Sequence, residues 1–162
     1  MEEAEGPAVN RLDWGLLSWG VGTTVRLLRN ELTPRIIAAY EPFGLRNGAL
    51  STMVLIQANP GCSQSEMARE LAMDDSAMVA IIDELEKRGL AMRSRSTADR
   101  RRNILSLTPE GEKTMQDMLV CAKRVERPIT EALSDQERDT LIQLLRRAYA
   151  AIMLADAAPT DQ

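Results

Sequence analysis

Histidine is absent from this 162-residue chain, which removes the commonest general base and metal ligand and leaves no Ser/His or Cys/His pair to activate a nucleophile. Most hydrolase mechanisms are disfavoured on that ground alone. The only cysteines are Cys62 and Cys121, too few for a disulfide scaffold or a four-ligand zinc site. Reduced thiols in a cytoplasm fit that usage. No uninterrupted apolar stretch is long enough to span a bilayer, and the opening MEEAEG is acidic where a secretion signal needs a basic start. Neither secretion nor membrane insertion is expected. A Gly-rich phosphate loop and a GxSxG elbow are also missing, and carboxylate pairs such as Glu84 and Glu86 read as surface charge. The expectation is a protein without a cofactor or metal that is not an enzyme.

What the chain does contain is an ordinary globular mixture, 44% hydrophobic and 27% charged, enough for one domain with or without an oligomerisation extension. Its net charge of −4 hides an asymmetry. From Lys87 to Arg102 seven basic residues face the single acid Asp99, so this window carries +6 and the remainder −10. A short basic segment on an acidic protein is the electrostatic footprint of a phosphate-binding surface. A solvated charged loop is the plainer reading of the same run. Structural context has to choose between them.

Apolar residues from Asp13 to Tyr40 (Leu16, Leu17, Val21, Val25, Leu28, Leu32, Ile36, Ile37) recur every three to four positions, which predicts one long amphipathic helix with a kink near Thr33 or a frayed first turn. A second helix is expected over 47–58, with Leu50, Met53, Val54 and Ile56 or Gln57 inward, ended by Asn59-Pro60-Gly61. Ser63-Gln64-Ser65-Glu66 has the form of a capping box opening a short helix over 64–72. Asp74 is expected to cap a further helix through Arg88, with Met78, Ile81, Ile82 and Leu85 inward and Gly89 as a left-handed terminus. Two short helices joined by a tight turn form a helix-turn-helix, whose second helix can enter a DNA major groove. Leu90–Arg93 and Asn103–Leu107 then read as a β-hairpin around the basic loop 94–102. Thr108-Pro109 opens a helix to about Arg127, and Ser134–Glu137 opens another carrying Leu141, Leu144, Leu145, Ala148 and Ile152 on one face. The ends, 1–12 and 156–162, are expected to be disordered. The fold class is mainly α with a small β-hairpin wing.

The segments DELEKRGLAMR (Asp83–Arg93) and DRRRNILSLTPEG (Asp99–Gly111) resemble the MarR family of bacterial winged helix-turn-helix regulators. Leu85, Glu86, Gly89, Leu90, Asp99, Arg101, Leu107, Thr108 and Gly111 match the family pattern in spacing. The resemblance is close over about 50 residues, from Ser63 to Glu112, and extends to the flanking helices only in order and length. It implies a single unit over 13–155. Within it, 13–44 and 109–155 are the dimerisation helices of an intertwined homodimer, and 47–108 is the winged helix-turn-helix that meets a palindromic double-stranded operator. It also implies that Asp99 and Arg101 brace the wing internally.

Within that frame, Arg93, Arg95, Arg100, Arg101 and Arg102 are the expected contacts to phosphates or the minor groove. Ser76, Ala77, Val79 and Ala80 lie off the inward stripe of the recognition helix, where small apolar groups can meet thymine methyls. That face offers no Arg or Asn for bidentate base contacts, and Asp74 and Asp75 repel phosphates, so part of the specificity is expected to rest on the wing and on DNA shape. Gln64, Ser65 and Arg69 are further candidate contacts, with plain solvent exposure as the alternative. The family's small aromatic or phenolic ligands place a candidate effector site at Trp14, Trp19, Tyr40 and Phe43, with Arg26, Arg29 and Arg46 available to an acidic group. Interface packing is the rival reading for the aromatics.

Cys62 precedes a helix start, where the macrodipole can lower a thiol pKa, so a redox-sensing regulator is one alternative function. Cys121 reads as a small packed apolar residue. The redox members of the family usually carry their reactive cysteine near the N-terminus, where this chain has none. A ligand-independent winged-helix DNA-binding or interaction protein is the other alternative. The leading expectation is a cytoplasmic homodimeric repressor released from its operator by a small aromatic or acidic effector.

Overall fold

The computed structural model describes residues 12–95 and 103–157. Asp13 caps only a short 3-10 turn, accepting the Gly15 N–H at 2.8 Å, because Gly15 adopts a left-handed φ of +49° and Gly20 is extended. The first helix therefore begins later than the apolar periodicity implied, as α1 (Val21–Tyr40), and continues through Pro34. A second 3-10 turn (Glu41–Phe43) and the left-handed Gly44 and Gly48 lead into α2 (Ala49–Ala58). Its inward residues are Ala49, Thr52, Met53 and Ile56; Gln57 is exposed.

The capping box forms as its sequence requires: the Ser63 N–H donates to Glu66 at 2.7 Å and the Glu66 N–H to the Ser63 hydroxyl at 3.2 Å. It opens α3 (Gln64–Glu70). The Met73 N–H then reaches back to the Ala68 carbonyl at 2.8 Å with Ala72 at φ +50° between them, a Schellman closure carried by an alanine where glycine is usual. Helix α4 (Asp75–Lys87) has Asp74 at its N-cap position, although that carboxylate makes no capping hydrogen bond. Met78, Ile81, Ile82 and Leu85 are all buried. A second Schellman closure, Leu90 N–H to Leu85 carbonyl at 2.8 Å, uses Gly89 at φ +69° as the sequence predicts.

Strands β1 (Ala91–Arg95) and β2 (Asn103–Leu107) pair antiparallel, with Ala91 opposite Leu107 and Arg95 opposite Asn103. Thr108 caps α5 (Pro109–Ala132), its hydroxyl accepting the Gly111 N–H at 3.0 Å and donating to the Gly89 carbonyl at 2.7 Å. This helix passes through Pro128 and ends at Ala132, five residues beyond the expected end at Arg127. Ser134 and Glu137 form the second capping box and open α6 (Asp135–Ala157).

Two adjoining clusters form the core. One joins α2, α4, β1 and α5 through Met53, Ile81, Leu85, Leu90, Ala91, Met115 and Met118; the other joins α2, α3, α4 and β2 through Ile56, Met67, Met78, Ile82 and Leu105. Five methionines lie fully buried there, filling an interior that has few aromatics to offer. By contrast, among the described residues neither α1 nor α6 buries a single residue completely, and α6 packs extensively on no other element. Leu16 (88% exposed), Trp19 (82%), Val25 and Leu28 stand out from the first arm, and Leu144, Ile152 and Leu154 (72%) from the last. The mainly helical architecture with its two-stranded hairpin is the winged helix-turn-helix that the element order predicts.

Candidate nucleic-acid interface

Because α4 turns its apolar stripe wholly inward, Asp75, Ser76, Val79 and Asp83 are left on its exposed side. Ala77 and Ala80 are only half-buried. The outer face of the helix thus carries small side chains and two carboxylates, as the sequence implies. Gln64 and Ser65 at the start of α3, together with Cys62, Ser63, Arg93 and Leu105, line a cleft of about 400 Å³ between that helix and the base of the hairpin. Arg69 is exposed on α3.

Arg93 occupies a different position from the free cation the charge run suggested. Its guanidinium bridges Asp83 (2.8 Å) and Glu86 on α4, and its backbone N–H donates to Glu86 at 3.1 Å. With only 30% of its side chain exposed, the forked geometry fixes strand β1 along the recognition helix. Arg88 is also engaged, donating to the Gly44 carbonyl at 2.7 Å. Two of the seven cations in the basic window therefore serve internal contacts, and three carboxylates of α4 are close by. Asp99, Arg100, Arg101 and Arg102 lie outside the described residues, as does the side chain of Arg95. Sequence reasoning missed the pairing of Arg93 because its partners are seven and ten residues away on another element.

The candidate effector residues divide. Tyr40 lines a cleft of about 570 Å³ with Pro34, Ile37, Ala38, Glu41, Leu45 and Asn47, where α1 meets the α1–α2 linker. Burial first, and then the nearby Glu126 and Cys121, raise the Tyr40 phenol above its ordinary pKa, so it remains a hydrogen-bond donor at neutral pH. Phe43 instead packs against the core. Arg46 is held by Glu84 at 3.0 Å and is not directed to that cleft. Trp14 is half-buried, while Trp19, Arg26 and Arg29 are exposed on the N-terminal arm, and none of the four lines the cleft. Pro34, Ile37 and Leu45 had carried no functional signal, because apolar residues at helical spacing read as core.

Cys62 runs opposite to the helix-start expectation. Burial and the Glu66 carboxylate push its thiol above the ordinary value, and a backbone hydrogen bond offsets this only in part. Among the described residues no group of His, Cys, Asp or Glu is placed to hold a metal, and no helix is long and apolar enough to cross a membrane.

Residues 45–102 match the sequence profile of the MarR family. A protein of Thauera aromatica assigned as transcriptional regulator of the hcr operon is 36% identical over 121 residues, covering 70% of this chain and 73% of that protein. The repressor CouR, in a structure bound to a 23-mer DNA duplex, is 33% identical and superposes with a TM-score of 0.73 over 86% of this chain and 99% of that one. CouR of Rhodococcus jostii RHA1 bound to p-coumaroyl-CoA is 28% identical, with a TM-score of 0.70 over 84% and 93% of the two chains. The relatives are transcriptional regulators, not enzymes.

Proposed function

Since this chain belongs to the MarR family of transcriptional regulators, we propose that it is a cytoplasmic homodimeric repressor that binds a palindromic operator and releases it when a small effector binds. The observation that carries this reading is the setting of α4: four apolar residues anchor it, Ser76 and Val79 stay exposed, and Arg93 pins the wing strand alongside. A rigid helix with a bare outer face beside a hairpin is what major-groove insertion with a flanking minor-groove contact requires. Arg95, Arg100, Arg101 and Arg102 supply the flanking contact, with Asp99 and Arg101 bracing it; Ser76, Ala77, Val79 and Ala80 meet base edges, and Gln64, Ser65 and Arg69 reach the backbone. The many exposed large apolar residues of the N-terminal arm and α6 support a homodimer, since a second copy would cover them.

The cleft at Tyr40 is the effector site in this reading. Its lining is apolar apart from the phenol, Glu41 and Asn47, and among the described residues it contains no cation. A phenolic ring whose carboxyl is masked as a thioester suits that lining better than a free benzoate, whose charge would be buried unpaired. The complex of CouR with p-coumaroyl-CoA supports the same class. Fluorescence anisotropy on a duplex selected from a random pool tests the proposal. The wild-type chain binds it in a salt-sensitive manner, p-coumaroyl-CoA releases it, and Arg100/Arg101/Arg102→Ala loses binding. Equal affinity for selected and shuffled duplexes contradicts the regulator reading.

A further inference from the structure

The segment that walls the Tyr40 cleft is the same segment that clamps the recognition helix. Leu45 and Asn47 line the cleft; Arg46, between them, places its Nε 3.0 Å from the Glu84 carboxylate and its backbone N–H 3.3 Å from the same oxygen. One helical turn further along α4, Arg88 donates to the Gly44 carbonyl at 2.7 Å. Gly48, at φ +91°, completes the seat, with room for little more than a hydrogen between it and the Ile81 and Met73 side chains. Glu84 and Arg88 are four residues apart and so share one side of the helix. The linker therefore grips the C-terminal half of α4 through two charged hydrogen-bonded contacts and one close apolar contact. The DNA-facing half is left unheld by it.

We infer that Arg46, Glu84 and Arg88 are positioning residues that set the tilt of α4 according to the shape of the Tyr40 cleft. The inference rests on the regulator reading above and adds to it the physical link between the two sites. A shift of linker residues 44–48 to admit a ligand pulls on both contacts, so in this inference occupancy of the cleft is transmitted to the recognition helix as a change of angle. This is a coupling free energy carried by identified contacts.

The test uses the full-length chain without any effector. Wild type, Glu84→Gln, Arg46→Gln and the double variant are titrated with the selected duplex and with its shuffled counterpart. If Glu84 acted only by its charge, Glu84→Gln would strengthen binding to both duplexes alike and Arg46→Gln would weaken both alike. A linkage that aims α4 predicts that each single variant lowers the selected-to-shuffled ratio by about five-fold, and that the double variant lowers it no further, because both remove the same contact. Hydrogen exchange adds a second readout: duplex binding slows exchange at the Arg46 amide in wild type and not in Glu84→Gln. Wild type that discriminates, together with variants that keep its ratio within two-fold, overturns the linkage alone. Wild type that binds both duplexes equally contradicts the regulator reading and the linkage with it.

Discussion

At the scale of single residues, the basic window shows why charge counted along a sequence overstates a binding surface. Arg93 is held by two carboxylates, so its removal does more than delete one cation: Asp83 and Glu86 are left unpaired by it on the face proposed to meet DNA. Arg93→Ala is expected to lower stability by about 1–2 kcal/mol in chemical denaturation, given partial exposure of all three groups. DNA affinity should fall by more than the loss of a single exposed arginine. Arg93→Lys should recover little, since a compact ammonium lacks the planar five-donor fork that reaches both carboxylates at once. Full stability in Arg93→Ala would show that the strand is held without the bridge.

Cys62 gives the second residue-scale prediction, and here the sign follows from the direction of the shift. A thiol whose pKa is raised is more fully protonated at neutral pH, and only the thiolate reacts. Alkylation by iodoacetamide at pH 7 should be slower than that of an unhindered thiol, rise as pH climbs through the raised value, and be accompanied by no change in DNA affinity after mild peroxide. Rapid alkylation at neutral pH would restore the redox alternative. The sequence placed Cys62 beside a helix start, but burial and the side chain of Glu66 are tertiary and local facts that spacing does not carry.

At the scale of elements, helix limits were readable wherever a side chain itself makes the stop. Both capping boxes, the Thr108 cap and the Gly89 terminus stand where their residues put them, because each is satisfied within three to five positions of the chain. Limits set by backbone dihedrals were not: the extended Gly20 moves the start of α1 to Val21, and α5 absorbs Pro128 despite its missing N–H. Gly111 shows the same division. Its place in the Leu-Thr-x-x-Gly run could be read as a motif, but its reason is spatial. A Cβ there would fall far inside van der Waals contact distance of the Leu90 carbonyl oxygen, just past the end of α4. Gly111→Ala should therefore cost about 2–4 kcal/mol of stability, a large effect for one methyl group, because backbone rather than a flexible side chain must give way. A thermal midpoint within a degree of wild type would contradict that packing.

At the scale of the whole molecule, a winged helix-turn-helix core sits between two arms that, among the described residues, leave much of their apolar surface exposed: α1 packs on α5 along one side only, and α6 packs extensively on no other element. Periodicity revealed those faces as sequence stripes, and the single chain leaves them bare, so the stripe of α6 that reads like a core face is exposed at Leu144 and Ile152. The Tyr40 cleft belongs to this scale too. Tyr40 was legible as a scarce aromatic, whereas its neighbours Pro34, Ile37 and Leu45 gather only once α1 and the linker have folded together. Arginines 26, 29 and 46 had been matched to an acidic ligand by charge alone, and Arg46 belongs to Glu84.

The proposed homodimer, with one α4 per subunit, would fix the distance between two recognition helices, and this is the consequence most directly open to measurement. Half-sites taken from the selected duplex are joined at a series of spacings, and the affinity of the full-length chain is measured for each. The account predicts a single optimum with the half-sites roughly 10–10.5 base pairs apart, centre to centre, and a steep fall when about five base pairs are inserted, since that turns one half-site to the opposite face of the DNA. Affinity that stays level across the series would mean that each chain binds alone or without reading a palindrome, and would contradict the central claim.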